Sequence, residues 1–291
     1  MEGEITPTVR LVRLLIAASV VGAVVAGVTR GLTSTATGTT AVVDSLYLTQ
    51  TALAAILIVL GSLVEGFGFG LSLGTRWPYT RNILVLMVQG DPEAAHRVVA
   101  TLVGLIGVAL VILEPTSATI SGLALVAATA LLGIGTLYVL AGRMPSFVHG
   151  VHGLLAYGVF LAYLSTLFAH DHDFWSYLGS SRGLLAVLLA VLLGGMTTGQ
   201  RGFGQPIEAF SWPRRASQWV MIAHLFAALS VISALGSLMP AYRVAFTIAL
   251  VQVAVGFLLF HAVNLRPASP GILVAFHQCM VLGITVAIMA E

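Results

Sequence analysis

The sequence contains no lysine, a single cysteine and few charged residues of any kind. The one cysteine, Cys279, lies in an apolar run and can form neither a disulfide within the chain nor a thiolate metal site. Asp, Glu, Lys and Arg make up only 8% of the 291 residues, too few to cover a surface that faces water. The formal net charge of +2 gives no indication of a nucleic-acid partner. These absences exclude a soluble domain, a disulfide scaffold and a nucleic-acid-binding protein.

Apolar residues dominate instead, at 58% of the chain with a mean hydropathy of +1.01. A membrane-spanning helix needs about 20 apolar residues, and nine runs meet that condition. The N-terminus lacks the layout of a signal peptide, so we expect its run to be a retained helix. The sequence therefore predicts an all-α, multi-pass protein of the cell membrane, surrounded by the lipid bilayer. The predicted spans are 11–28, 48–72, 95–113, 118–141, 148–169, 183–200, 217–238, 244–263 and 271–290.

Two long connections, near 73–93 and 201–215, indicate an internal repeat. Each follows a glycine-rich helix end and leads past a Trp-Pro pair to a helix with a histidine near its start. Two helices later, a proline precedes a second histidine by seven residues in both halves. The histidines at equivalent places are His96 and His152 in the first half and His224 and His277 in the second. The predicted organisation is an extra N-terminal transmembrane helix with its loop and two tandem four-helix bundles, over residues 1–47, 48–169 and 183–290.

Counting membrane crossings places these four histidines at one membrane face, which we call face A. Ionisable groups inside spans are costly and usually functional. Two imidazoles that face each other across a four-helix bundle suit the axial positions of a haem iron. Zinc is less well supported, because no cysteine or carboxylate pair converges with the histidines. For any single histidine, a hydrogen bond between helices is the alternative. His149 is the alternative to His152, and only the repeat alignment favours His152.

Other polar residues permit more than one interpretation. Glu65 lies in an apolar helix near face A, where it would belong to a proton or substrate path or pair with a nearby arginine. His261 has no counterpart in the first half and is typical of an interfacial polar residue. Residues 170–173, His-Asp-His-Asp, are typical of a solvated turn, with a metal site as the alternative. The arginines of the two long connections are candidate counter-ions for haem propionates: Arg76, Arg81, Arg201, Arg214 and Arg215.

Three groups of residues resemble the haem A synthase family. The stretch GSLVEGFGFGLSLGTRWPY, residues 61–79, is similar to its glycine-rich helix end that leads to Trp-Pro. The stretch EAAHR, residues 93–97, is similar to its Glu-x-x-His-Arg motif. The stretches QWVMIAHLFAAL and GILVAFHQCMVL resemble its second pair of histidine helices. The resemblance covers residues 48–290 and rests on the ordered set rather than on one stretch.

This resemblance implies an activity and a set of ligands. The activity is oxidation of the C8 methyl group of haem O to a formyl group by successive hydroxylations, which gives haem A for a terminal oxidase. By the same resemblance, His224 and His277 ligate haem b in the second half, and His96 and His152 flank the iron of the substrate haem in the first. The implied partners are haem O and a haem O synthase; the electron donor and homo-oligomerisation are left open.

Glu93 and Arg97 flank His96 on the same helix. Glu93 precedes His96 by about one helical turn, so both project to one face. Glu93 would deprotonate a methyl-derived intermediate or guide a proton, provided that burial keeps it basic. Arg97 would pair with a propionate. Capping of the helix N-terminus is the simpler role for Glu93, and it is compatible with catalysis.

The chain also departs from the family pattern. It lacks the cysteine pair that many members carry in the face A loops, and its N-terminal helix is additional to the usual eight. The resemblance implies that face A lies outside, whereas the arginine count favours face A inside. The alternative function is a non-catalytic di-haem b-type cytochrome that relays electrons between quinol and a partner. A transporter with histidines in a proton path is a third hypothesis.

Overall fold

The computed structural model describes residues 7–35, 38–77, 82–168, 173–201, 204–209 and 212–291. This part of the chain forms eleven α-helices and no strand. Nine of those helices are long and apolar enough to cross a bilayer, which confirms the predicted all-α multi-pass architecture over the described ranges. The helices are α1 Pro7–Thr33, α2 Thr39–Gly66, α3 Ile83–Gln89, α4 Pro92–Leu113, α5 Ser117–Leu140, α6 Phe147–Leu167, α7 Phe174–Ser180, α8 Arg182–Arg201, α9 Ala216–Gly236, α10 Arg243–Leu265 and α11 Leu273–Ala290.

The bounds differ most from the predicted spans at α1, which covers Pro7–Thr33 rather than 11–28, and at α2. Helix α2 begins at Thr39 rather than at residue 48, because a helix continues beyond the apolar run that identified it. It ends at Gly66, and Phe67 caps it through backbone hydrogen bonds. Helices α3 and α7 are short elements in the connections, too short for a periodicity argument to detect.

The helices pack as two groups of four. In the first group, α2 and α5 each contact both α4 and α6. In the second group, α9 and α11 each contact both α8 and α10. Helices α6 and α8 pack against each other between the groups, as do α2 and α11, and α1 packs against α2. Each group therefore encloses its own interior, while the internal repeat itself stays a prediction.

The N-terminus of α4 is firmly capped. Asp91 is the N-cap residue, and its Oδ1 accepts hydrogen bonds from the backbone N–H groups of Glu93 and Ala94 at 2.8 and 3.0 Å. Pro92 occupies the first turn, where its missing N–H costs nothing. Asp91 makes the capping hydrogen bonds, while Glu93 lies in the first turn of α4, where a negative charge is favourable. The capped turn fixes where Glu93 and His96 project.

Small residues allow α1 to approach α2 closely. A Cβ atom added at Gly27 would lie 2.7 Å from the carbonyl oxygen of Ser45, and one at Gly31 would lie 3.0 Å from that of Ala41. Van der Waals contact between closely spaced backbones drives helix association in lipid. The additional N-terminal helix is thus held by a glycine-lined contact with α2.

We expect Gly27→Leu to displace α1 and to lower the free energy of unfolding by about 1–3 kcal/mol, the usual cost of overpacking. The leucine would meet the α2 backbone and the side chain of Thr49. Thermal unfolding in detergent, together with hydrogen exchange of α1 amides, measures the effect. Gly22→Leu is the matched control, because a Cβ at Gly22 meets nothing within 4 Å. Equal stability of the two variants would contradict this account of the contact.

Candidate functional site

One cavity of about 1210 Å³ extends through the interiors of both helix groups. It exceeds the range of about 300–1,000 Å³ that is typical of pockets for drug-sized ligands. Most of its wall is aliphatic and comes from both groups of helices. The four histidines predicted from the repeat, His96, His152, His224 and His277, all line it. They therefore point inward rather than toward the acyl chains.

Each of these histidines packs its ring against a glycine of the preceding long helix. A Cβ at Gly194 would lie 3.1 Å from Cε1 of His224, and one at Gly61 would lie 3.3 Å from Cε1 of His96. The corresponding distances are 3.7 Å for Gly133 and His152 and 3.5 Å for Gly256 and His277. The absence of a side chain lets each ring lie close to the neighbouring helix.

The Nδ1 atoms of two of these histidines meet backbone carbonyl groups. The Nδ1 atom of His224 lies 2.9 Å from the Ala190 carbonyl oxygen, and that of His152 lies 3.1 Å from the Thr129 carbonyl oxygen. Because a carbonyl only accepts, each Nδ1 carries the proton and each Nε2 is left with a free lone pair. A histidine whose Nδ1–H is held in this way is oriented for metal binding through Nε2.

His224 and His277 face each other in the second group. Their ring centres are 6.4 Å apart, and the ring planes are inclined by 59°. An imidazole nitrogen lies about 2.0–2.1 Å from a bound metal ion and its ring centre about 1 Å further, so two rings on opposite sides of one ion have centres about 6 Å apart. The observed separation therefore fits a single ion between the two imidazoles.

The donor set restricts the kind of ion. The part of the chain that the structure describes contains no group of three or more His, Cys, Asp or Glu side chains arranged to hold a metal ion. Two protein ligands leave a tetrahedral zinc ion incomplete. A haem iron takes four ligands from its porphyrin and needs only the two axial positions. The residues present therefore fit a haem better than a free ion.

The first group has three histidines near the cavity. His96 and His152 lie within electrostatic range of each other, and the buried Nδ1 of His96 has no hydrogen-bond partner among the described residues. His149 lines the same cavity, but its buried Nδ1 has no hydrogen-bond partner among the described residues. His152 thus has the Nδ1 contact and the glycine neighbour seen at His224, and His149 lacks that Nδ1 contact.

Glu93 holds the connection after α2 against the start of α4. Its Oε2 accepts hydrogen bonds from the Ser72 hydroxyl at 2.9 Å and from the Leu73 backbone N–H at 3.0 Å. Its Oε1 pairs with the guanidinium of Arg97, one turn later. Arg97 also donates to the carbonyl oxygen of Arg76. Glu93 is only 4% exposed and lines the cavity, so the predicted acid lies at the predicted site with a structural role as well.

Glu65 pairs with Arg201, which is the second of the two interpretations that the sequence allowed for Glu65. Nη1 of Arg201 lies 3.0 Å from Oε1 of Glu65. The same guanidinium donates to the backbone carbonyl oxygens of Gln205 and Pro267 at 2.9 Å each. Arg201 therefore joins α8, α2 and the segment before α11, and its charge is already matched by a buried carboxylate.

Of the remaining candidates, the arginines are exposed or outside the described residues, whereas His261 lines the cavity where α10 ends. Arg215 pairs with Glu208 at 2.8 Å on the surface, and the side chains of Arg76 and Arg214 are exposed. His261 is exposed near the end of α10, with its ring against Phe260. Arg81 and residues 170–172 lie outside the described residues, so their predicted roles stay predictions.

Two polar contacts were not predicted from the sequence. Tyr157 of α6 donates a hydrogen bond to Oε1 of Gln278 on α11 at 2.7 Å, which connects the two groups beside His277. Gln252 of α10 places its Nε2 2.9 Å from Nδ1 of His277. Both glutamines stand in apolar spans, and a polar residue in such a span is the signal that could have identified them.

Comparison with protein-family models, with curated proteins and with solved structures finds no match for this chain.

Proposed function

We propose that this membrane protein binds haem b between His224 and His277 and oxidises the C8 methyl group of haem O to a formyl group, as a haem A synthase does. The observation that carries the proposal is the pair of cavity-facing imidazoles with ring centres 6.4 Å apart. Their separation fits one iron, and their ligand count fits a porphyrin complex. The specific reaction is supported by the motif resemblance.

In the first half, His96 and His152 would hold the iron of the substrate haem. Both line the cavity, and the Thr129 carbonyl holds Nδ1 of His152 so that its Nε2 keeps a free lone pair. His149 stays the alternative to His152; the Nδ1 contact and the packing on Gly133 favour His152. Arg97, which also lines the cavity, would contact a propionate through its guanidinium.

Glu93 would hold or accept a proton at a carboxylate oxygen beside the substrate. Three donors already point at its two oxygens, from Ser72, Leu73 and Arg97. A carboxylate offers about four acceptor positions, so about one remains for a proton. The same three donors fix the carboxylate in place, which is what a general base requires. Bound haem b would supply one-electron redox chemistry at the second site.

The alternative function, a di-haem cytochrome that only relays electrons, is favoured by one observation. Glu93 already has a structural role in holding the 67–76 connection to α4, and a relay would need no other role for it. One cavity lined from both halves also suits either function. Substrate conversion therefore has to be measured directly.

Co-expression with a haem O synthase, in cells that otherwise lack haem A, tests the proposal. We expect the wild-type chain to yield haem A, detected by pyridine haemochrome spectra and haem extraction. Glu93→Gln is expected to reduce haem A formation by at least about 100-fold, the usual lower bound for losing a general base. It should leave the haem b content of the second half unchanged, because Glu93 lies on α4.

Three results of this experiment have different meanings. Haem A formation by Glu93→Gln at the wild-type rate would remove the acid from the mechanism. Two haem b per chain and no haem A in the wild type would favour the electron relay. A colourless wild-type protein would overturn haem binding altogether and favour a transporter.

A further inference from the structure

His277 differs from His224 and His152 in what its Nδ1 meets. Ala190 and Thr129 contribute backbone carbonyls to Nδ1 of His224 and His152, whereas Nδ1 of His96 has no partner among the described residues. Both carbonyls belong to the residue four positions before the glycine that packs on the ring. At His277 the equivalent position is Gln252, four residues before Gly256, and its side chain makes the contact.

The Gln252 amide is buried beside the cavity with one atom unsatisfied. The residue is 8% exposed and lines the cavity. Its Nε2 lies 2.9 Å from Nδ1 of His277 and 2.9 Å from the His277 carbonyl oxygen. Its Oε1 is buried and has no hydrogen-bond partner among the described residues. A buried amide oxygen without a hydrogen-bond partner costs desolvation free energy, so this amide orientation is disfavoured by that amount.

This arrangement sets the tautomer of His277. Amide Nε2 only donates, so Nδ1 of His277 must accept and the ring proton must sit on Nε2. A protonated Nε2 has no lone pair for a metal. A half-turn of the amide would exchange its two ends, and Oε1 would then accept from Nδ1–H. In that state Nε2 of His277 has a free lone pair. The cost is that Oε1 of Gln252 then faces the His277 carbonyl oxygen, and the hydrogen bond from Nε2 of Gln252 to that oxygen is lost.

We propose that Gln252 is a positioning residue whose amide orientation decides whether His277 can ligate the haem iron. His224 is a permanent ligand, because the Ala190 carbonyl can only accept. His277 is a conditional ligand, because its bare Nε2 requires the amide to turn. The inference rests on the proposed haem site, and it makes the His277 bond the weaker of the two axial bonds.

Substitutions at position 252 separate the two amide states. Gln252→Glu replaces the donating nitrogen with an acceptor, so it should favour Nδ1–H and bind haemin more tightly than the wild type. A better acceptor at Nδ1 strengthens the imidazole as a ligand, so the midpoint potential should fall. Gln252→Met removes the acceptor and should weaken haemin binding by about 10- to 100-fold, the usual effect of losing such a partner. Its bound haem should show a high-spin, five-coordinate fraction.

Haemin titration of the full chain in detergent, followed by absorbance and redox titration, measures these effects. A His96→Ala background removes the first-half site, and the unsubstituted background is titrated in parallel. Gln200 provides the matched control, since its amide donates to the Ser146 hydroxyl at 2.8 Å and does not line the cavity. Gln200→Glu and Gln200→Met should leave the second-half spectrum and potential unchanged.

The outcomes distinguish the inference from the proposed function. Equal weakening by Gln252→Glu and Gln252→Met, with an unchanged potential, would show a packing role and overturn the inference. Wild-type affinity and potential in both variants would do the same, while haem binding itself would stand. A wild-type chain that takes up no haemin at the second site would overturn the proposed function, and the inference with it.

Discussion

Replacing His224 with alanine is expected to abolish the low-spin haem b spectrum and to stop haem A formation. In the proposed haem site, His224 is the ligand whose Nδ1 is held by a backbone carbonyl, 2.9 Å from the Ala190 oxygen, so its Nε2 keeps a free lone pair. Its removal would leave only His277, the proposed conditional ligand, on the iron. Absorbance spectra and haem extraction of the purified variant measure the loss, which we expect to be complete within detection.

His261→Ala is the control for this substitution. His261 lines the same cavity near the end of α10, but it is exposed and its ring lies against Phe260 rather than opposite another histidine. We expect this variant to keep the wild-type spectrum. A low-spin, six-coordinate haem that persists in His224→Ala would show that the iron is held elsewhere, and the second-half site would have to be abandoned.

The membrane-spanning helices were predictable because a helix that crosses the bilayer needs a long run of apolar residues. Nine runs gave nine helices over the described residues, with Arg182–Arg201 and Ala216–Gly236 within two residues of the predicted bounds. The start of α2 was not predicted, because residues 39–47 include two threonines and Asp44. The helix therefore begins nine residues before the predicted apolar run. Helices α3 and α7 are shorter than the window in which a hydrophobic period can be recognised.

The site was predictable only in part. The spacing predicted four histidines, and all four line the cavity, although the repeat behind that spacing stays a prediction. The Nδ1 partners of His152 and His224 were not predicted, because Thr129 and Ala190 contribute backbone atoms that any residue would supply. Gln252 was detectable in principle, since it is a polar residue in an apolar span at the same offset from a glycine.

For Arg97, the sequence spacing favours the observed contact, but the predicted role was a different one. Arg97 follows Glu93 by four residues on one helix, a spacing that favours an ion pair. The sequence interpretation assigned Arg97 to a propionate instead, and that role stays a prediction beside the observed pair. The Glu93–Arg97 ion pair could have been predicted from the local spacing, whereas the propionate assignment depended on the resemblance.

Replacing Arg201 with methionine is expected to destabilise the protein by about 3–5 kcal/mol, because it leaves the carboxylate of Glu65 buried without its partner. The side chains of Arg201 and Glu65 are 4% and 13% exposed. The guanidinium also satisfies the carbonyl oxygens of Gln205 and Pro267, so both of these lose a donor. Unfolding of the purified protein by SDS, followed by circular dichroism, measures the change in free energy.

The surface pair of Arg215 and Glu208 provides the matched comparison. Its side chains are 58% and 46% exposed, and its atoms approach to 2.8 Å. Arg215→Met should cost at most about 1 kcal/mol, because water screens an exposed pair and solvates the remaining carboxylate. Glu65→Gln combined with Arg201→Met should recover part of the loss, since the unpaired charge is then gone. If Arg201→Met is no more destabilising than Arg215→Met, the buried pair does not hold α2, α8 and the segment before α11 together.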